Sequence, residues 1–167
     1  NSLAHYESTG PELCAQTHGG VDAFTCAVGT GGPLAGTSLY LQEQSSDVKL
    51  VLADPMGSAL YNWVTTGEAT MTPRPSMTAG IGNSRVTENL APAKIDDAVQ
   101  VDDQEMVDMV YRLLHQEGWF FGSSSGINLG AAVKIAKDLG PGHTIVTILC
   151  DGGSKYQSRL YNPDFLA

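Results

Sequence analysis

Three short stretches of this sequence combine small, polar and flexible residues in a way suited to lining a ligand crevice: Gly29-Thr30-Gly31-Gly32, Ser123-Ser124-Ser125-Gly126 and Asp151-Gly152-Gly153-Ser154. The first sits between an apolar run and a helix-forming run. Glycine lets the backbone turn sharply and present its N–H groups without a Cβ in the way. A helix beginning near Pro33 adds partial positive charge and unpaired donors, so this turn predicts a phosphate cradle. It is not a Walker loop: Gly31 to Gly36 has that spacing, but Thr37-Ser38 follows where Lys-Ser/Thr is needed. A dinucleotide fingerprint started at Gly29 puts bulky Leu34 where close helix packing requires glycine, although Asp54 is placed like a ribose-binding acid.

The serine stretch precedes a helical run, so its plain role is N-capping. Its functional role would be a polar wall over a ligand at the carboxyl ends of strands, where open α/β sheets bind ligands. Asp151-Gly152-Gly153-Ser154 also falls at such a strand end. Three strand ends with small or polar turns predict one shared crevice.

The elements that must position these turns are legible in the pattern. Thr9-Gly10-Pro11-Glu12 reads as a helix entrance with Thr9 as cap, and Gly19-Gly20 ends that element. Asp22 to Val28 and Val48 to Ala53 read as buried strands around a helix from Leu34 to Gln44, one βαβ unit. Gly67 to Arg85, with its prolines and Gly80-Ile81-Gly82-Asn83, reads as a long loop with short helical pieces, of a length that is usually functional or disordered. Ala98 to Asp102 predicts a third strand. Asp102 and Glu105 then form a capping box ahead of a stripe of Met106, Val107, Val110, Leu113 and Leu114. Phe121 to Gly126 predicts a turn into a helix from Ile127 to Leu139, and His143 to Cys150 a continuous β-branched strand. The fold class expected is α/β, a mostly parallel sheet with helices on both faces.

Composition narrows the partners. The 167 residues carry 9 Lys and Arg against 18 Asp and Glu, a net charge of −9, which argues against nucleic acid and anionic membranes. No apolar run approaches the roughly 20 residues needed to span a bilayer. Cys14, Cys26 and Cys150 are widely spaced and odd in number, which predicts reduced thiols in a cytoplasmic compartment and no zinc site. The histidines show no metal-ligand spacing. The chain opens Asn1-Ser2-Leu3 without Met or a targeting segment, so a processed protein or a piece of a longer one is expected.

Five motifs together resemble the C-terminal half of cysteine synthases (O-acetylserine sulfhydrylases). Ala4 to Glu12 is similar to the segment opening that half. Gly29-Thr30-Gly31-Gly32-Pro33 resembles the cofactor-phosphate loop, and Thr78-Ala79-Gly80-Ile81-Gly82 the segment beside the cofactor. Ser124-Ser125-Gly126-Ile127-Asn128 resembles the family's helix entrance. Cys150 to Tyr156 resembles the turn facing the pyridine nitrogen.

The resemblance implies a fold type II pyridoxal 5'-phosphate enzyme whose large domain, incomplete here, spans residues 1–167. It implies phosphate binding by Gly29, Thr30, Gly31, Gly32 and Pro33, a site floor at Gly80 and Gly82, and a ring-facing turn at Asp151 and Gly152. It also implies β-replacement of O-acetylserine by sulfide to give cysteine, and a homodimer of the complete protein. A cystathionine β-synthase-like enzyme and a non-catalytic binding or assembly fragment are the alternatives.

The family's Schiff-base lysine belongs to an N-terminal half absent here, and Lys49, Lys94, Lys134, Lys137 and Lys155 match no such motif. Pro33 replaces the loop's last Thr, removing a hydroxyl and an N–H. Ala79 replaces a Glu. Gly152 stands where many members place a Ser or Thr, leaving a water, Asp151 or Ser154 to meet the pyridine nitrogen.

Overall fold

A computed structural model describes residues 1–166. Four parallel strands form one sheet in the order β3-β2-β1-β4: β1 is Ala23–Ala27, β2 Lys49–Pro55, β3 Asp97–Val101 and β4 Ile145–Thr147. Central strands β1 and β2 are apolar along nearly their whole length, as a parallel sheet covered on both faces requires.

Side-chain alternation along these strands divides the core. Phe24, Cys26, Leu50 and Leu52 pack with Leu34 and Leu41 of α3 (Gly32–Gln44) and Leu60 of α4 (Leu60–Thr66). Ala23 and Val51 meet Ile135 of α6 (Ser123–Leu139) on the other face. There Ala53 and Val101 also pack with Met106 and Val110 of α5 (Asp103–Arg112) and Ile127 and Ala131 of α6. Helices therefore cover both faces, as expected. Each buried Leu, Val or Phe contributes about 1.5–3 kcal/mol relative to exposure.

Several boundaries differ from expectation. The first helix begins before Thr9: α1 (Ser2–Ala4) runs through a π-helical stretch, His5–Thr9, into α2 (Gly10–Gln16). Thr9 is helical and caps nothing; its hydroxyl lies 2.9 Å from His5 Nδ1. The expected strand from His143 to Cys150 shrinks to Ile145–Thr147, because β1 offers partners only at Ala23, Phe24 and Thr25.

The Gly67 to Arg85 loop holds bends and irregular stretches without helical pieces, whereas α4 forms just before it. The capping box stands as expected, with Glu105 N–H donating to Asp102 Oδ1 at 2.8 Å and Asp102 N–H to Glu105 Oε2 at 3.0 Å. Beyond α5 a π-helical stretch, Leu113–Glu117, continues the helix. Beyond β4 come a 3-10 turn, Gly153–Tyr156, and α7 (Pro163–Leu166).

Candidate functional site: a glycine cradle at the end of the central strand

The Gly29–Gly32 turn joins the carboxyl end of β1 to α3, as the sequence suggested. Gly31 has φ +86°, a left-handed conformation that glycine tolerates best. A Cβ there would also lie 2.8 Å from Thr87 Oγ1 and 2.9 Å from Leu90 Cβ. A Cβ at Gly29 would strike the Gly80 carbonyl oxygen, so the Gly80–Gly82 segment lies directly against the turn. Gly82 N–H donates to Val28 O at 3.2 Å, tying the two together.

The carbonyls of the turn are held from outside. Asn83 Nδ2 donates to Gly29 O at 2.6 Å; Thr87 Oγ1 and Asn89 Nδ2 donate to Thr30 O at 2.8 and 3.3 Å. Gly32 N–H donates to Thr30 Oγ1 at 3.3 Å. The N–H groups of Thr30, Gly31 and Leu34 have no protein acceptor among the described residues, although Gly31 and Leu34 are buried. Unpaired buried N–H groups are rare in folded chains, and those of Gly31 and Leu34 lie at the N-terminus of α3. Pro33, in the first turn of α3, contributes no donor.

The serine stretch does something other than capping. It forms the first turns of α6, with Gly122 as the capping residue and no side-chain cap bond. Ser125 Oγ accepts from Cys150 N–H at 3.0 Å. Asn128 Oδ1 accepts from Ala27 N–H at 2.7 Å, while its Nδ2 donates to Ile148 O at 2.6 Å. Ser125 and Asn128 thus bind the ends of β1 and of the segment after β4 to α6. Ser123 Oγ, also buried, has no hydrogen-bond partner.

The closing turn is exposed at Gly152, which bridges to Phe121, and buried at Gly153 against the Phe120 ring. Asp151 accepts from Tyr156 OH at 2.9 Å and Ser124 Oγ at 3.4 Å, and pairs with Lys155. Burial pushes its carboxyl up, but the Lys155 and Tyr156 hydrogen bonds outweigh that and hold it below the usual range. The same Asp151 contact, then Tyr156, raises Lys155. Lys155 is therefore a fully charged surface ammonium, unsuited to attack a carbonyl. Asp54 is no ribose ligand: it is wholly buried and accepts from Tyr61 N–H at 2.8 Å, holding the first turn of α4. Burial raises its carboxyl to about 7, against the neighbouring Ser58 hydroxyl and the Tyr61 N–H, which act the other way.

Gly29, Thr30, Gly31, Gly32 and Pro33 thus share one turn, with Gly80 and Gly82 packed on it. Asp151 and Gly152 stand at a separate strand end. Asn83, Thr87 and Asn89 are the residues sequence reasoning missed. The turn suits a phosphate in having unpaired N–H groups at a helix N-terminus, and its glycines let Gly80, Thr87 and Leu90 pack close against it. No set of three or more His, Cys, Asp or Glu is placed to hold a metal among the described residues. No helix among them is long and apolar enough to cross a membrane.

A family model described as pyridoxal-phosphate dependent enzyme matches residues 1–151, and the chain belongs to that family. Its cofactor is therefore pyridoxal 5'-phosphate. Among individual relatives, cysteine synthase 1 of Emericella nidulans is 45% identical over 99% of this chain and 46% of its own length. The Dictyostelium discoideum cysteine synthase is 44% identical over 99% of this chain and 46% of its own length. A crystal structure of the O-acetylserine dependent cystathionine beta-synthase from Helicobacter pylori superposes with a TM-score of 0.83 at 29% identity. It covers 95% of this chain and 49% of that one. The chain thus spans about half the length of the relatives it matches.

Proposed function

We propose that this chain supplies the cofactor-phosphate site of a cysteine synthase, the complete protein converting O-acetylserine and sulfide into cysteine and acetate. The observation that carries the reading is the Gly29–Gly32 turn, whose Thr30 and Gly31 N–H groups lack protein acceptors. Its setting in a chain 45% identical to a cysteine synthase from end to end gives it a reaction. Residues 1–167 are then the C-terminal, phosphate-binding part of the large domain, and the rest of the protein brings the cofactor-bearing lysine. The complete protein is a homodimer in a cytoplasmic compartment.

Bound pyridoxal phosphate supplies an electron sink for bond changes at the amino-acid substrate. This chain's residues bind and orient it. The N–H groups of Thr30, Gly31 and Leu34 and the α3 terminus take the phosphate; Gly80 and Gly82 close the backbone against the turn. Asp151, committed to Lys155 and Tyr156, keeps its charge on its own turn, so a water or Ser154 is left to meet the pyridine nitrogen.

The test is product formation by the complete protein. Cysteine formed from O-acetylserine and sulfide, with acetate released in equal amount, supports the reading. Cystathionine formed from O-acetylserine and homocysteine, with sulfide unused, replaces it with the cystathionine β-synthase alternative. Neither product, in a protein with pyridoxal phosphate bound, would leave the binding-fragment alternative.

A further inference from the structure

We propose that Asn83 and Thr87 are positioning residues that aim the Thr30 and Gly31 N–H groups at the anion by pinning the carbonyls on the opposite edges of the same two peptide planes. The inference rests on the phosphate reading of the Gly29–Gly32 turn and adds what makes that turn a rigid site.

Peptide geometry is the starting point. In a trans peptide the C=O of one residue and the N–H of the next point in opposite directions across one rigid plane. No peptide bond among the described residues is cis. The Gly29 carbonyl shares its plane with the Thr30 N–H, and the Thr30 carbonyl shares its plane with the Gly31 N–H. Asn83 Nδ2 grips the first carbonyl at 2.6 Å and Thr87 Oγ1 the second at 2.8 Å. Both N–H vectors must therefore point away from the Asn83 and Thr87 side, and both are without a protein acceptor. A glycine-rich turn is otherwise free to rotate these planes, so without the two donors the cradle would have to be ordered at the moment of binding.

The two donors are themselves fixed. Thr87 Oγ1 accepts from Leu90 N–H at 3.3 Å, which directs its proton to Thr30 O. The Thr87 carbonyl accepts from Leu90 and Ala91 N–H at 3.0 and 2.9 Å, closing a turn around it. The Asn83 carbonyl accepts from Ala59 N–H at 2.8 Å and Ser58 Oγ at 3.2 Å, anchoring it to the start of α4. Asn89 adds a longer contact to Thr30 O at 3.3 Å.

The experiment is an amide NMR titration of the 167-residue chain with inorganic phosphate, pyridoxal phosphate and unphosphorylated pyridoxal. The variants are Thr87→Val, Thr87→Ser and Asn83→Ala. Thr87→Val keeps the shape and removes the hydroxyl; Thr87→Ser restores the donor. Loss of one such hydrogen bond should weaken phosphate and pyridoxal phosphate binding about 3- to 10-fold. Thr87→Ser should return to within about twofold of the unsubstituted chain, since it restores that same hydrogen bond. Binding of pyridoxal should not change, which a merely structural loss would not spare.

Thr30 and Gly31 amides should shift on saturation in every variant that binds. Phosphate affinity unchanged in both Thr87→Val and Asn83→Ala, with Thr30 and Gly31 still responding, would overturn the inference and leave the site standing. Equal weakening for Thr87→Val and Thr87→Ser would also overturn it. No response of these amides in the unsubstituted chain would overturn the phosphate site and the inference together.

Discussion

Asp54→Asn removes a carboxyl that is completely buried, and its effect on stability should depend on pH in a way few other substitutions here would. Asp54 Oδ2 accepts from Tyr61 N–H, while Oδ1 is buried without a partner. Burial raises its folded-state pKa to about 7. In the unfolded chain the same group ionises near pH 4, as model peptides do. Between those values the folded state holds a proton that the unfolded state has lost, so stability falls as pH rises. The contribution is fully present below about pH 4 and is gone above about pH 7. Three pH units at about 1.4 kcal/mol each give on the order of 4 kcal/mol, an upper figure because buried groups relax.

The asparagine variant keeps an acceptor for Tyr61 and has nothing to titrate. Urea unfolding of both forms from pH 4.5 to 8.5 provides the assay; all other ionisable groups cancel in the difference. The asparagine form should gain on the parent by about 1.4 kcal/mol per pH unit through pH 5 to 7, then run parallel to it. Stability curves parallel across the whole range would refute the claim that Asp54 is buried as a neutral acid.

Gly31→Ala should cost about 1–3 kcal/mol from the left-handed backbone alone, with the contact to Thr87 added, and should abolish phosphate shifts at Thr30. Asp102→Ala should cost about 1 kcal/mol in urea unfolding by removing the α5 cap, with no change in anion binding. Asn128→Ala strands Ala27 N–H and Ile148 O together and should cost about 2–4 kcal/mol; thermal melting reads it directly. Borohydride reduction of this chain after incubation with pyridoxal phosphate should label no lysine stoichiometrically, because Lys155 stays charged beside Asp151. Peptide mapping that finds one fully labelled lysine would contradict this.

What the sequence disclosed was chiefly what local chemistry decides. The Gly29–Gly32 turn, α3, the two central strands and the Asp102–Glu105 box all carry their signals within a few residues. Where a distant partner sets the outcome, the pattern misled. His143 to Cys150 has strand composition throughout, yet β1 pairs with only three of its residues, and Ser125 and Asn128 take Cys150 N–H and Ile148 O instead. Helix α4 is rich in β-branched and aromatic residues; its first turn is held by Ser58 Oγ, which accepts from Leu60 N–H, and by Asp54 from β2. Ser123 to Ser125 look like caps but are buried helix residues, and Ser124 and Ser125 bond sideways. Asn83, Thr87 and Asn89 lie 54 to 59 residues from the carbonyls they hold, a separation no local pattern could disclose.

If the proposed function is right, the Gly29–Gly32 turn holds the phosphate of pyridoxal phosphate. A crystal structure of the complete protein with that cofactor bound tests it most directly. Phosphate oxygens should lie at hydrogen-bond distance, about 2.7–3.2 Å, from the amide nitrogens of Thr30 and Gly31. Asn83 and Thr87 should still be on the Gly29 and Thr30 carbonyls. A phosphate seated elsewhere, for instance at the start of α6 beside Ser123, would contradict it.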